Sequence, residues 1–149
     1  MVRRIVTGNN EQGRSYIVSD EQIAEMHVWH SVKAPAQLGE GVPILPSTAP
    51  SIEPPAGGSA VARVQMEPWA QMKAKMGSYD GLDVEGFHRT TTIDYIMVVS
   101  GEVDLVLEEG RTTVRPGDLV VQRNTNHAWH VMGDEPVDFW GVMMSLLPG

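Results

Sequence analysis

Residues 86–131 read GFHRTTTIDYIMVVSGEVDLVLEEGRTTVRPGDLVVQRNTNHAWHV. The stretch is a series of short β-prone runs cut by turn residues. TIDYIMVVS is rich in β-branched and aromatic residues, and Gly101-Glu102 follows it as a turn. VDLVLEEG then places Val103, Leu105 and Leu107 on one face before a second turn at Glu109-Gly110. RTTVRPGDLVVQ reads as one strand broken at Pro116-Gly117-Asp118, where Asp118 caps the turn. NHAWHVMG ends at Gly133, and VDFWGVMMSLL supplies a final strand. Strands recurring every 8 to 12 residues or so, with turn signals between them, predict an all-β barrel or sandwich.

Outward from this block the N-terminal third repeats the pattern. RRIVTG and RSYIVS flank the polar turn NNEQG and predict a hairpin, and AEMHVWHSV reads as a further strand. Residues 34–58 hold most of the prolines and several glycines, which excludes a helix or a central strand and predicts a long arm. Its apolar residues Leu38, Val42, Ile44 and Leu45 point to packing, and the arm is expected to wrap a partner in a homodimer. SAVARVQMEP alternates as a strand, and EPWAQMKAKMGS predicts one or two helical turns stopped at Gly77. Met66, Met72 and Met76 read as core filler. The expected organisation is one domain over 1–149, with N-terminal strands in 1–33, the arm in 34–58 and a barrel core in 59–149.

Composition narrows the functional classes. The 149 residues include no cysteine, so disulfides, thiolate nucleophiles and cysteine-bound zinc are excluded. The net charge is −8 and the few basic residues are scattered, which argues against a nucleic-acid partner. No apolar run is long enough to span a bilayer, and MVRRIVTGNNEQ lacks the apolar region of a signal peptide. The expected setting is cytoplasmic, with no membrane partner.

Strand parity then groups the polar residues. In a regular strand His88, Thr90, Thr92 and Asp94 face one side, with Arg89 on the other. His127, Trp129 and Val131 share a side, while His130 faces away from them. Arg123 has the parity of His127 and is a candidate anchor for a substrate carboxylate. Trp129 is placed to wall a pocket for a flat or apolar ligand. His27 and His30 have no ligand-like partner nearby and read as structural.

The phrases HRTTTIDY and GDLVVQRNTNHAW resemble a set of small single-domain members of the cupin superfamily. The first cupin motif, G-x5-H-x-H-x3,4-E-x6-G, is similar to His88-Arg89-Thr90 followed by Asp94 and Gly101. The second, G-x5-P-x-G-x2-H-x3-N, is similar to Gly117-Asp118 leading to His127, with Val131 in place of the final Asn. Asn124 stands where the family usually has Gly, and Asn tolerates positive φ better than most residues. The resemblance implies a cupin-type double-stranded β-helix, a jelly-roll barrel with its site inside. It also implies metal ligands at His88, Asp94 and His127, with Thr90 in the place of a further histidine and Asp94 one methylene shorter than the usual Glu. Two imidazoles and a carboxylate suit one divalent ion, Fe, Zn, Mn or Ni, and no organic cofactor is expected.

Three functional readings follow. The first is a small-molecule enzyme of lyase type, performing decarboxylation or elimination on an aromatic, polyketide-like or carboxylated substrate. His88, Asp94 and His127 would be catalytic there, metal-assisted or by acid–base chemistry, and Thr90, Thr92, Arg123 and Trp129 would bind the substrate. The second is an Fe(II)-dependent dioxygenase. The third is a non-catalytic barrel that binds a small molecule.

Overall fold

The structure, a computed structural model, describes residues 2–23, 53–54 and 56–146. Nine strands appear in chain order: β1 Val2–Asn9, β2 Ser15–Ile23, β3 Ser59–Met66, β4 Thr92–Ser100, β5 Val103–Leu107, β6 Gly110–Val114, β7 Asp118–Arg123, β8 His127–His130 and β9 Val137–Ser145. A short helix α1, Trp69–Met72, runs into a 3-10 helix, Lys73–Ser78, between β3 and β4. The expected hairpin forms, with β1 and β2 antiparallel. The helical turns form too, and end one residue past Gly77. The expected AEMHVWHSV strand, His27, His30 and most of the 34–58 arm lie outside the described residues.

The strands make two sheets, one ordered β2-β1-β7-β4-β9-β3 and one ordered β6-β5-β8. All pairs are antiparallel except β1 with β7. RTTVRPGDLVVQ is therefore two strands in different sheets rather than one broken strand. The corner is built from Gly117, at φ +94°, and from Asp118, whose carboxylate accepts the Arg115 N–H at 2.9 Å. The fold is all-β, in keeping with a cupin barrel.

Alternation along β4 explains how the sheets close on each other. Thr92, Asp94, Ile96 and Val98 are buried, and the residues between them are half-buried or exposed. Ile5, Ile96, Val120 and Phe139 from the large sheet meet Leu105, Val114 and Trp129 from the small one in a single apolar cluster. Burying each such side chain contributes about 1.5–3 kcal/mol. The same inward rows turn polar toward the other end of the barrel, at Thr92, Asp94 and Gln122.

Gly101 holds the β4–β5 turn at φ +74°, and a Cβ there would meet the Pro136 carbonyl oxygen at 2.7 Å. Both the left-handed backbone and the contact oppose a side chain. Gly101→Ala is expected to destabilise the fold by about 2 kcal/mol or more, measurable as a lowered urea midpoint at unchanged m-value.

Candidate active site

The site begins at an isolated bridge. His88 and His127 exchange backbone hydrogen bonds, each N–H to the other carbonyl at 3.0 Å. This places the two rings together on the small-sheet side, with centroids 4.3 Å apart. The His88 Nδ1–H donates to the Gly86 carbonyl at 3.2 Å, and the His127 Nδ1–H donates to the Thr125 carbonyl at 2.8 Å. A carbonyl oxygen can only accept, so these bonds fix the tautomer and leave both Nε2 atoms as acceptors.

Both imidazoles are held neutral. Burial pushes the His88 pKa below its ordinary value. His127, only 3% exposed, is pushed down to about 3, first by burial and then by the neighbouring His88 ring. Trp129 sets its edge against His127 at 5.9 Å and its body against Phe139 at 5.4 Å. It is at once part of the core and a wall beside the histidine.

Asp94 sits on a different sheet. It pairs with Gln122 of β7 on one side and Met143 of β9 on the other. The Thr90 and Thr92 hydroxyls are 2.7 Å apart, and Thr92 hydrogen-bonds Asp94. The Asp94 pKa is raised to about 6, chiefly by burial, against the opposing effect of the Thr92 bond. Its Oδ1 has no hydrogen-bond partner.

The structure brings together only part of the expected set. His88 and His127 meet as the motif alignment implied, and Thr90, Thr92 and Asp94 are all buried. Among the described residues, however, no group of three His, Asp or Glu is gathered closely enough to hold a metal ion. The expected triad of His88, Asp94 and His127 is not assembled. Parity assumed a regular strand from 88 to 94, but β4 begins at Thr92. His88 bridges to the small sheet before the chain crosses, so Asp94 belongs to the other wall. The donors present, two imidazoles with free Nε2 atoms, do not fit an ion that needs a third side chain from this set.

Arg123 is exposed at the end of β7, which removes the expected carboxylate anchor from the interior. Between it and His127 the chain turns through Asn124 at φ 50°, and parity is lost there. Asn124 does take the left-handed conformation expected of it, and its side chain donates to the Thr90 carbonyl at 2.6 Å. His130 faces away from His127 as parity required. It stacks on Trp69 of α1 at 3.9 Å, and its Nε2–H donates to the Glu85 carbonyl at 2.8 Å.

Gln122 and Thr125 were not singled out from the sequence. Both are buried at 1% exposure, and the Gln122 side-chain amide donates to the Thr125 hydroxyl. The available signal was the break of the apolar run Leu119-Val120-Val121 by Gln122 on a strand reading as core.

The two sheets thus carry a histidine pair in contact, His127 buried and His88 half-buried. Residues 80–144 match the family described as the cupin domain. Phomopsin biosynthesis cluster protein C' of Diaporthe leptostromiformis is 39% identical over 84 residues, covering 56% of this chain and 37% of that protein. The cupin-domain-containing oxidoreductase virC of Hypocrea virens is 25% identical over 142 residues, covering 85% of this chain and 66% of that protein. This chain thus spans well under half the length of the phomopsin relative. A solved cupin 2 conserved barrel domain protein from Salinispora arenicola is 17% identical with a TM-score of 0.44, covering 64% of this chain and 68% of that one. Among the described residues no helix is long and apolar enough to cross a membrane.

Proposed function

We propose that the chain is an enzyme acting on a small organic molecule by acid–base chemistry of lyase type, with His88 as the base. The observation that carries this is the histidine pair. Each ring is oriented by a carbonyl at Nδ1, each is neutral, and each has a free Nε2. A neutral imidazole with a fixed tautomer accepts a proton without reorganising. His88 is half-buried and lies beside a ring that stays unprotonated to about pH 3, so it is the more basic of the two.

In the proposed step the His88 Nε2 takes a proton from a carbon next to a carbonyl or an aromatic ring. The C–H electron pair forms a C=C bond, and the leaving group departs with its own bonding pair. The leaving group takes up a proton from water, which balances the step. Trp129 beside His127 fits an aromatic or apolar substrate body. With Arg123 outside, the carboxylated substrate class loses its support.

A redox reading rests on relatives such as virC, which are named oxidoreductases and align over 142 residues. Oxygen uptake separates the two. Turnover of a candidate substrate without O2 consumption, lost on His88→Ala by about 100-fold or more in kcat, is the expected result. Stoichiometric O2 consumption would transfer the assignment to the oxidoreductase reading. The proposed homodimer and cytoplasmic setting stand on the sequence alone, and sedimentation of the purified chain tests the dimer.

A further inference from the structure

The buried polar wall has a direction. The Thr90 and Thr92 hydroxyls meet at 2.7 Å, and either can donate to the other. On the neighbouring strand Thr7 donates to the Val121 carbonyl at 3.3 Å, so its 3.0 Å contact with Thr125 must have Thr125 donating. The Thr125 hydroxyl then has only lone pairs left for Gln122, which turns the Gln122 amide nitrogen toward it. The Thr7 and Thr125 hydroxyl hydrogens are thus committed, and the Gln122 side-chain oxygen is left as an acceptor on the strand opposite the Asp94 carboxylate, which is also an acceptor.

Two of those acceptors have no partner at all, Asp94 Oδ1 and Gln122 Oε1. They belong to directly opposed residues on β4 and β7, whose side chains share one face about 5 Å apart at Cβ. Asp94 is 4% exposed and Gln122 1%. Among the described residues Asp94 forms no ion pair. Two buried, adjacent, unanswered acceptors cost stability unless something with hydrogens to give meets them.

We infer that Asp94 and Gln122 form a subsite for a protonated amine of the ligand. An ammonium carries three donors and no acceptor, and it supplies the positive charge that the Asp94 carboxylate lacks. This deepens the proposed function by naming a substrate class, an amine with an apolar or aromatic body, and it rests on that reading for the barrel interior as the ligand site.

The test measures binding rather than turnover, so it can fail independently of the His88 chemistry. Benzylammonium, benzyl alcohol and benzoate are titrated against the full chain at pH 7.5 by calorimetry, with the Gln122 side-chain amide NMR signal reporting location. Benzylammonium is expected to bind at least 10-fold more tightly than the other two and to shift that signal. Asp94→Asn is expected to erase the preference. Gln122→Met, which keeps the shape and removes the oxygen, is expected to weaken benzylammonium several-fold with the order unchanged, so a poorly folded Asp94 variant does not end the test. Equal or tighter binding of benzyl alcohol or benzoate overturns the proposal. So does the absence of any binding, retention of the preference in Asp94→Asn, or displacement of benzylammonium by equimolar zinc in an Asp94-dependent way. If benzylammonium fails while His88-dependent turnover is found, the subsite falls alone; the reverse pattern removes the lyase reading and leaves the subsite.

Discussion

Replacing His127 by Asn is expected to remove a large acid-sensitive contribution to the stability of this fold. His127 titrates near its ordinary 6.5 when unfolded and near 3 when folded. A depressed histidine contributes stability above the unfolded value, and that contribution is lost as pH falls from about 6.5 to 3. A gap of this size is worth on the order of 5 kcal/mol, a large part of the stability of a domain this small. His88 is shifted the same way, adding to the trend. Asn places an amide nitrogen where Nδ1 sits and can keep the bond to the Thr125 carbonyl, so the comparison removes the titration more than the architecture. The absolute stability at pH 7 should drop, because the contact with Trp129 is lost. The decisive readout is the slope of unfolding free energy against pH between 4 and 6, where His127 and Asp94 oppose each other in the parent and the variant, left with Asp94, should gain stability toward acid. An unchanged slope would mean that His127 is accessible to protons in the folded state.

Asp94→Asn is expected to act in the opposite sense and to stabilise the protein at neutral pH. The folded carboxyl titrates near 6 against an ordinary value of 3.8, because burial penalises its charge. A raised carboxyl favours the fold below the unfolded value and loses that contribution as pH rises through 3.8 to 6. At pH 7 the ionised Asp94 costs about 3 kcal/mol relative to its protonated form. Asn is the uncharged counterpart, and its amide hydrogens can reach the unanswered Gln122 oxygen across the strand pair. Chemical denaturation should show the gain at pH 7.5 and little of it at pH 4. Between 3.8 and 6 the two groups nearly cancel, so the loss of stability toward acid falls mainly between 6.5 and 6 and again below 3.8, where His127 acts alone.

Much of the barrel was legible because its strands obey simple alternation between clear turns. β4 and β5 follow their apolar rows closely, and the β1–β2 hairpin follows its polar turn. The histidine pair was legible through motif spacing. What failed was parity carried across irregular backbone. From His88 to Asp94 and from Arg123 to His127 the chain leaves one sheet and joins the other, and a period of two has no meaning through such a crossing. Gln122 was missed for another reason. Its importance comes from lying opposite Asp94, and register between strands separated by two strands of the other sheet is set by packing rather than by local sequence.

The order of strands in the large sheet also bears on how the chain reaches this state. Among the described residues β3 pairs with β9 alone, and β9 also supplies the second neighbour of β4. β1 likewise waits for β7, more than a hundred residues later. While the chain emerges from the ribosome, β3 has no hydrogen-bonding partner until nearly the whole of the described sequence has been made. Such long-range pairing slows folding and leaves strand edges open to other chains in the meantime. Residues 137–145 thus act as a closing stitch, and truncation within them should release an aggregating chain rather than a smaller barrel.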